Sequence, residues 1–210
     1  MSTTATRLAA LRAELARTGL AGFVVPLTDE HMSEYVGDYA QRLAWLSGFG
    51  GSAGNAVVMR DKAAMFTDGR YTVQVRSQVP AELFAYEDVP KTSVAHWLAE
   101  QVKAGERIGY DPWLHTRGWA TGTAALLKAK GAELVAVASN PIDAVWTDRP
   151  APSAAPIEVH DDAFAGRAHA DKRAEVAVWL KEKGADAVVI AALDSVAWLL
   201  NVRGRDVPRT

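Results

Sequence analysis

Three prolines within eight residues, in Arg149-Pro150-Ala151-Pro152-Ser153-Ala154-Ala155-Pro156, constrain this chain more than any other feature. Proline fixes φ and donates no backbone hydrogen bond, so the stretch cannot continue a helix or enter the middle of a sheet. It reads as a semi-rigid extended linker. The expected organisation is a first domain over residues 1–150, a linker over 151–159, and an incomplete second domain over 160–210.

On the first side of the linker, Leu8, Leu11, Leu15 and Leu20 fall close to helical spacing, and Thr18-Gly19 supplies a stop. Residues 21–27 read as a buried strand. Residues 56–59 and 63–66, joined by Asp61-Lys62, read as strand, turn and strand. A helix is expected to start within 69–78, followed by a strand at 83–86 and a helix at 94–102. A strand at 107–111 ends at Pro112, a helix at 116–130 closes at Gly131, and a strand runs over 133–137. Strands alternating with helices, with one antiparallel hairpin among them, predict an α/β domain built on a mixed sheet.

The second side echoes the first. A helix over 174–183 stops at Gly184, a strand is expected over 187–191, and residues 195–200 look helical. Each side also carries an Ala-Trp-Leu triplet after its strand, Ala44-Trp45-Leu46 and Ala197-Trp198-Leu199. Helix–strand units are common, so the echo alone leaves a true duplication open. One strand with one helix buries too little apolar surface to stand alone, so the chain is expected to end in the middle of a domain.

Composition narrows the function classes. Apolar residues are 49% and charged residues 23%, an ordinary globular mix, and the net charge of −2 comes without any basic run. Nucleic-acid and membrane-surface binding are therefore not expected. The absence of cysteine removes disulfides, thiolate metal sites and cysteine nucleophiles. Arg12, Glu14 and Arg17 interrupt the N-terminal apolar stretch that a secretory signal needs, and a cytoplasmic location is the default.

Four features compete for a functional reading. Gly48-Phe49-Gly50-Gly51-Ser52-Ala53-Gly54 is glycine-rich, but the downstream residues 55–59 read as a strand, so a tight turn is favoured over a phosphate cradle. In Thr67-Asp68-Gly69-Arg70-Tyr71, a strand-to-helix turn with Asp68 as N-cap explains Asp68 and Gly69. It does not explain Arg70, a long cation at a strand end, where α/β folds often place binding groups. His160, Asp161, Asp162, His169 and Asp171 are metal-compatible residue types without a scaffold to fix them. Most of the seven tryptophans sit in apolar periodic segments and read as core, and any exposed one would suggest a protein interface.

Six segments, in order, resemble the N-terminal region of the three-domain aminopeptidase P (Xaa-Pro aminopeptidase) family. They are His31-Met32-Ser33-Glu34-Tyr35, Ser47-Gly48-Phe49 with Gly51-Ser52-Ala53-Gly54, Thr67-Asp68-Gly69-Arg70-Tyr71, Gly109-Tyr110-Asp111-Pro112, Val145-Trp146-Thr147-Asp148-Arg149-Pro150, and Ala197-Trp198-Leu199-Leu200-Asn201-Val202-Arg203-Gly204. The sequence departs from the pattern at Gly50, where a polar or acidic residue is common, and at Arg205, where a small one is expected.

The resemblance implies a creatinase-type N-terminal domain of ribonuclease-H-like fold, followed by the start of a second such domain. It implies that a catalytic domain elsewhere in the parent protein holds two Mn2+ ions, with no catalytic residue, metal ligand or cofactor on this chain. It also implies a substrate peptide with proline in second position, a homodimer, and Arg70 as the substrate-binding residue of this region. The competing expectation is a free-standing, non-enzymatic α/β module that works by protein association.

Overall fold

The computed structural model describes residues 3–206; Met1, Ser2 and residues 207–210, which fall within the expected domain bounds, lie outside them. Helix α1 (Thr4–Arg17) starts where the Thr3 hydroxyl accepts the Thr6 N–H, and its Leu8, Leu11 and Leu15 face inward with at most 1% exposure. Gly19, at φ +70°, turns the chain into strand β1 (Gly22–Pro26). Helix α2 (Arg42–Ser47) comes next, then the hairpin of β2 (Asn55–Met59) and β3 (Ala63–Thr67), helix α3 (Thr72–Gln78) and strand β4 (Ala85–Asp88). They are succeeded by α4 (Val94–Gln101), β5 (Arg107–Tyr110), α5 (Arg117–Ala129), β6 (Glu133–Ala136) and α6 (Pro141–Val145). Side chains of Ser93, Thr116 and Asn140 cap α4, α5 and α6, each such cap contributing about 1 kcal/mol.

The sheet order is β4-β3-β2-β1-β5-β6. Only β2 runs antiparallel to its neighbours, so the carboxyl ends of the other five strands share one edge. Both faces are covered. Phe23, Val25, Ala56, Val58 and Met65 pack under α1, α2, α3 and α6, while Val24, Val57, Ala64, Phe66 and Ile108 pack under α4 and α5. Alternate residues of one strand thus enter two separate cores, as the period-2 geometry requires. Gly109 has no room for a side chain: a Cβ there meets Leu20 at 2.8 Å and Phe23 at 3.0 Å.

Beyond the linker, β7 (Glu158–Val159) pairs with β8 (Val202–Arg203), and α7 (Asp162–Ala165), α8 (His169–Glu182) and α9 (Leu193–Leu200) lie between them. The strand expected over 187–191 does not form: among the described residues no strand lies beside it, and backbone N–H and C=O groups without a strand partner stay with solvent. Helix α8 starts five residues earlier than its apolar pattern suggests, and β4 lies two residues later. Helices α2 and α6 are too short to show a period.

The tryptophans divide. Trp97 and Trp146 are core, and Trp45 and Trp119 are half-buried. Trp113, Trp179 and Trp198 are exposed, which corrects the core reading for those three. Among the described residues no helix is long and apolar enough to cross a membrane.

Candidate functional site

The carboxyl end of β3 carries the Thr67–Tyr71 segment. Asp68 caps a single 3-10 turn (Gly69–Tyr71), its Oδ1 accepting the Arg70 N–H at 2.9 Å. The same carboxylate receives the Arg70 guanidinium, Nε on Oδ1 at 3.0 Å and Nη2 on Oδ2 at 2.7 Å. Hydrogen bonds from the Arg70 side chain and then its backbone hold Asp68 below the usual carboxylate range, and Asp68 in turn raises Arg70. The guanidinium also lies over the Tyr71 ring, 5.2 Å from its centroid. Arg70 is therefore a pre-oriented cation rather than a free one. Its side chain stays 64% exposed.

Tyr71 joins this turn to two distant segments. Its hydroxyl lies 2.7 Å from Ser52 Oγ, which donates to Glu34 Oε1 at 2.7 Å. Ser52 has one hydroxyl proton. Directed at Glu34, it leaves Tyr71 as the donor to Ser52. Turned to Tyr71, it supports the phenolate, and with the Ser52 backbone N–H and the Arg70 charge it draws the Tyr71 pKa down.

The glycine-rich loop packs beneath this network. Gly48, at φ +84°, ends α2, and Phe49 is buried edge-on to Tyr71 at 5.7 Å. A Cβ on Gly51 collides with the Phe49 and Tyr71 rings. The loop's glycines thus serve close approach, and the chain beyond it enters β2, with no helix to present to a phosphate. Upstream, buried Asp29 ties down the segment that presents Glu34, its Oδ1 accepting the backbone N–H of His31 and of Ser33 at 3.0 Å each.

Three of the six sequence segments thus converge on one edge of the sheet, around Glu34, Ser52 and Arg70-Tyr71. The pairing of Arg70 with Asp68 is readable from their spacing, since an N-cap carboxylate two residues before an arginine lies within its reach. The Glu34–Ser52–Tyr71 relay has no such signal, being assembled across 18 and 19 residues of chain.

The histidine-rich segment does other work. Asp161 caps α7, Asp162 accepts from Asn201 Nδ2 at 2.8 Å, and the His160 N–H donates to the Asn201 carbonyl. Among the described residues no group of three or more His, Asp or Glu side chains is arranged to hold a metal ion.

A three-layer domain on a six-stranded mixed sheet, with five carboxyl ends on one edge, defines the structural class. Two family models, both described as the creatinase/prolidase N-terminal domain, match residues 7–145 and 148–210. The chain belongs to this family. The relatives it matches over nearly its whole length are Xaa-Pro aminopeptidases. It is 35% identical over 208 residues to Xaa-Pro aminopeptidase 2 of Rattus norvegicus, covering 98% of this chain and 31% of that protein. With the probable Xaa-Pro aminopeptidase P of Neosartorya fischeri the identity is 40% over 210 residues, covering 98% and 32%. The X-prolyl aminopeptidase of Caenorhabditis elegans, a cytosolic enzyme with a di-nuclear active site, is similar in structure. Its TM-score is 0.89 at 37% identity, covering 98% of this chain and 36% of that one. The chain corresponds to the N-terminal part of these relatives and spans about a third of their length.

Proposed function

We propose that this chain acts as the non-catalytic N-terminal portion of a metal-dependent Xaa-Pro aminopeptidase, in which Arg70 contacts a peptide with proline in second position. The observation that carries the reading is the convergence of the Glu34, Ser52 and Arg70-Tyr71 segments on one sheet edge. An exposed guanidinium, oriented by Asp68 and braced on Tyr71, suits hydrogen bonding to a peptide carbonyl or carboxylate. Asp68 holds two of its faces, so the outward N–H groups are the ones offered.

The described residues of this chain do not fit a dinuclear metal centre. In the reading proposed, the two Mn2+ ions belong to another domain of the parent, the parent is a cytoplasmic homodimer, and this chain shapes the approach to the metal site. Purified chain supplied with manganese should leave Xaa-Pro peptides intact by chromatographic assay. Metal-dependent release of the N-terminal residue by the chain alone would overturn the reading.

A further inference from the structure

A second cleft opens on the same sheet edge, beyond the carboxyl ends of β1, β5 and β6. Its volume is about 600 Å³, within the range that holds small molecules. Crevices at this end of parallel strands are where α/β domains bind ligands. Arg42 and Asp111 are buried in its floor, while Trp113 stands 75% exposed in its wall.

The charges in the cleft are mixed and mostly committed. Asp143 receives Arg42 twice, Nε on Oδ1 at 2.7 Å and Nη2 on Oδ2 at 2.9 Å, and Arg149 Nη1 lies 2.7 Å from Oδ2. Asp111 accepts the Trp113 N–H and the Asn140 amide. Glu30 accepts the Tyr39 hydroxyl at 2.7 Å, and burial followed by this bond pushes Tyr39 up to about 12.

One buried donor remains uncommitted. Arg42 is 8% exposed in its side chain, and its Nη1 is buried without a hydrogen-bond partner. Two guanidinium groups therefore share one direct carboxylate, while Glu30 and Asp111 stand nearby. A purely anionic ligand meets Glu30 and Asp111, and a purely cationic one meets Arg42 and Arg149. A ligand carrying both charges answers both sets, with Trp113 offering a surface for an apolar side chain.

We propose that this cleft binds a small zwitterion, a free amino acid or short peptide with an apolar side chain, its carboxylate toward Arg149 and Arg42 and its ammonium toward Glu30. The site is separate from Arg70 and stands whether or not Arg70 touches substrate.

The test follows the Trp113 indole N–H in the two-dimensional 1H–15N spectrum of the 210-residue chain, identified by its loss in Trp113→Phe. Leucine should shift this signal saturably. N-acetyl-leucine and leucinamide, each lacking one charge, should bind at least about tenfold more weakly. Arg149→Gln should weaken leucine binding to a similar degree. Trp113→Ala changes a side chain largely in water and leaves the fold intact; followed through the Ser139 amide signal, it should also weaken binding. No saturable shift up to roughly 10 mM leucine, or shifts of equal size with the capped analogues, overturns the proposal.

Discussion

Ala44-Trp45-Leu46 and Ala197-Trp198-Leu199 sit on α2 and α9, and each helix ends in a left-handed cap, Gly48 at φ +84° and Asn201 at φ +50°. The local chemistry is the same, but the burial is not. Leu46 is fully buried and Trp45 stacks on Trp146, with ring centroids 5.3 Å apart. Trp198 is half exposed, with the Lys172 ammonium 4.8 Å from its ring centroid.

The preceding helices differ in the same way. Helix α1 buries three leucines, whereas the only buried residue of α8 is Lys172, which donates to the Trp198 carbonyl and to Asn201 Oδ1. All five residues of β1 are buried, while Val189 is 92% exposed. Helices and caps are specified locally, so both regions have them. A strand needs a neighbour: every strand of the first region has one, whereas residues 187–191 have none among the described residues, the β7–β8 pair lying apart from them.

The sharpest way to break this comparison is to cut the same kind of side chain from both regions. Leu11→Ala should cost about 3 kcal/mol in urea unfolding, the usual range for a buried leucine, while Val189→Ala should fall within about 0.5 kcal/mol of wild type. Equal losses would mean that the second region has a core the structure does not show. Next in size is Asp143→Ala, which strands the buried Arg42 guanidinium without its anion. It should cost about 2 kcal/mol, discounted from fully buried pairs because Asp143 keeps some exposure. Urea unfolding of Asp143→Ala beside Glu158→Ala, whose partner Arg205 is exposed, sharpens the contrast, because the second change should be nearly silent.

The smallest effect is one of pH. His115 stacks on Trp119 at 4.2 Å, faces the Asp111 carbonyl through Nδ1 at 2.9 Å, and has a buried Nε2 without a partner. Burial lowers its pKa from the ordinary value near 6.5. The folded state then binds the proton later than the unfolded state as pH falls. The stability His115 permits is full above about 6.5 and drains away below it, toward the depressed folded value. Thermal melts from pH 8 down to roughly 5 should show this fall, and His115→Gln should flatten it; an unchanged slope would assign the pH dependence to other groups.

Much of the first region is legible because its periods, stops and caps are written within a few residues of each other. Gly19 and Gly131 take positive φ where the pattern expects a helix to stop, and beyond the linker Gly184 does the same. The strand expected at 187–191 fails because alternation and β-branching describe what a strand prefers, not whether a partner exists. Arg70 is visible as an unexplained cation at a strand end. Its brace by Tyr71, the relay through Ser52 to Glu34, and the Arg42–Asp143–Arg149 cluster are not. Arg42 and Asp143 lie 101 residues apart, and only the sheet order brings them together.

The central claim is that the chain presents Arg70 to the peptide while contributing none of the chemistry. Steady-state hydrolysis of an Xaa-Pro peptide by the full-length parent carrying Arg70→Ala tests it most directly. The account predicts a loss of about tenfold in kcat/KM, the worth of one exposed charge-assisted contact, with the melting temperature unchanged. Unaltered kcat/KM, or an unfolded variant, would contradict it.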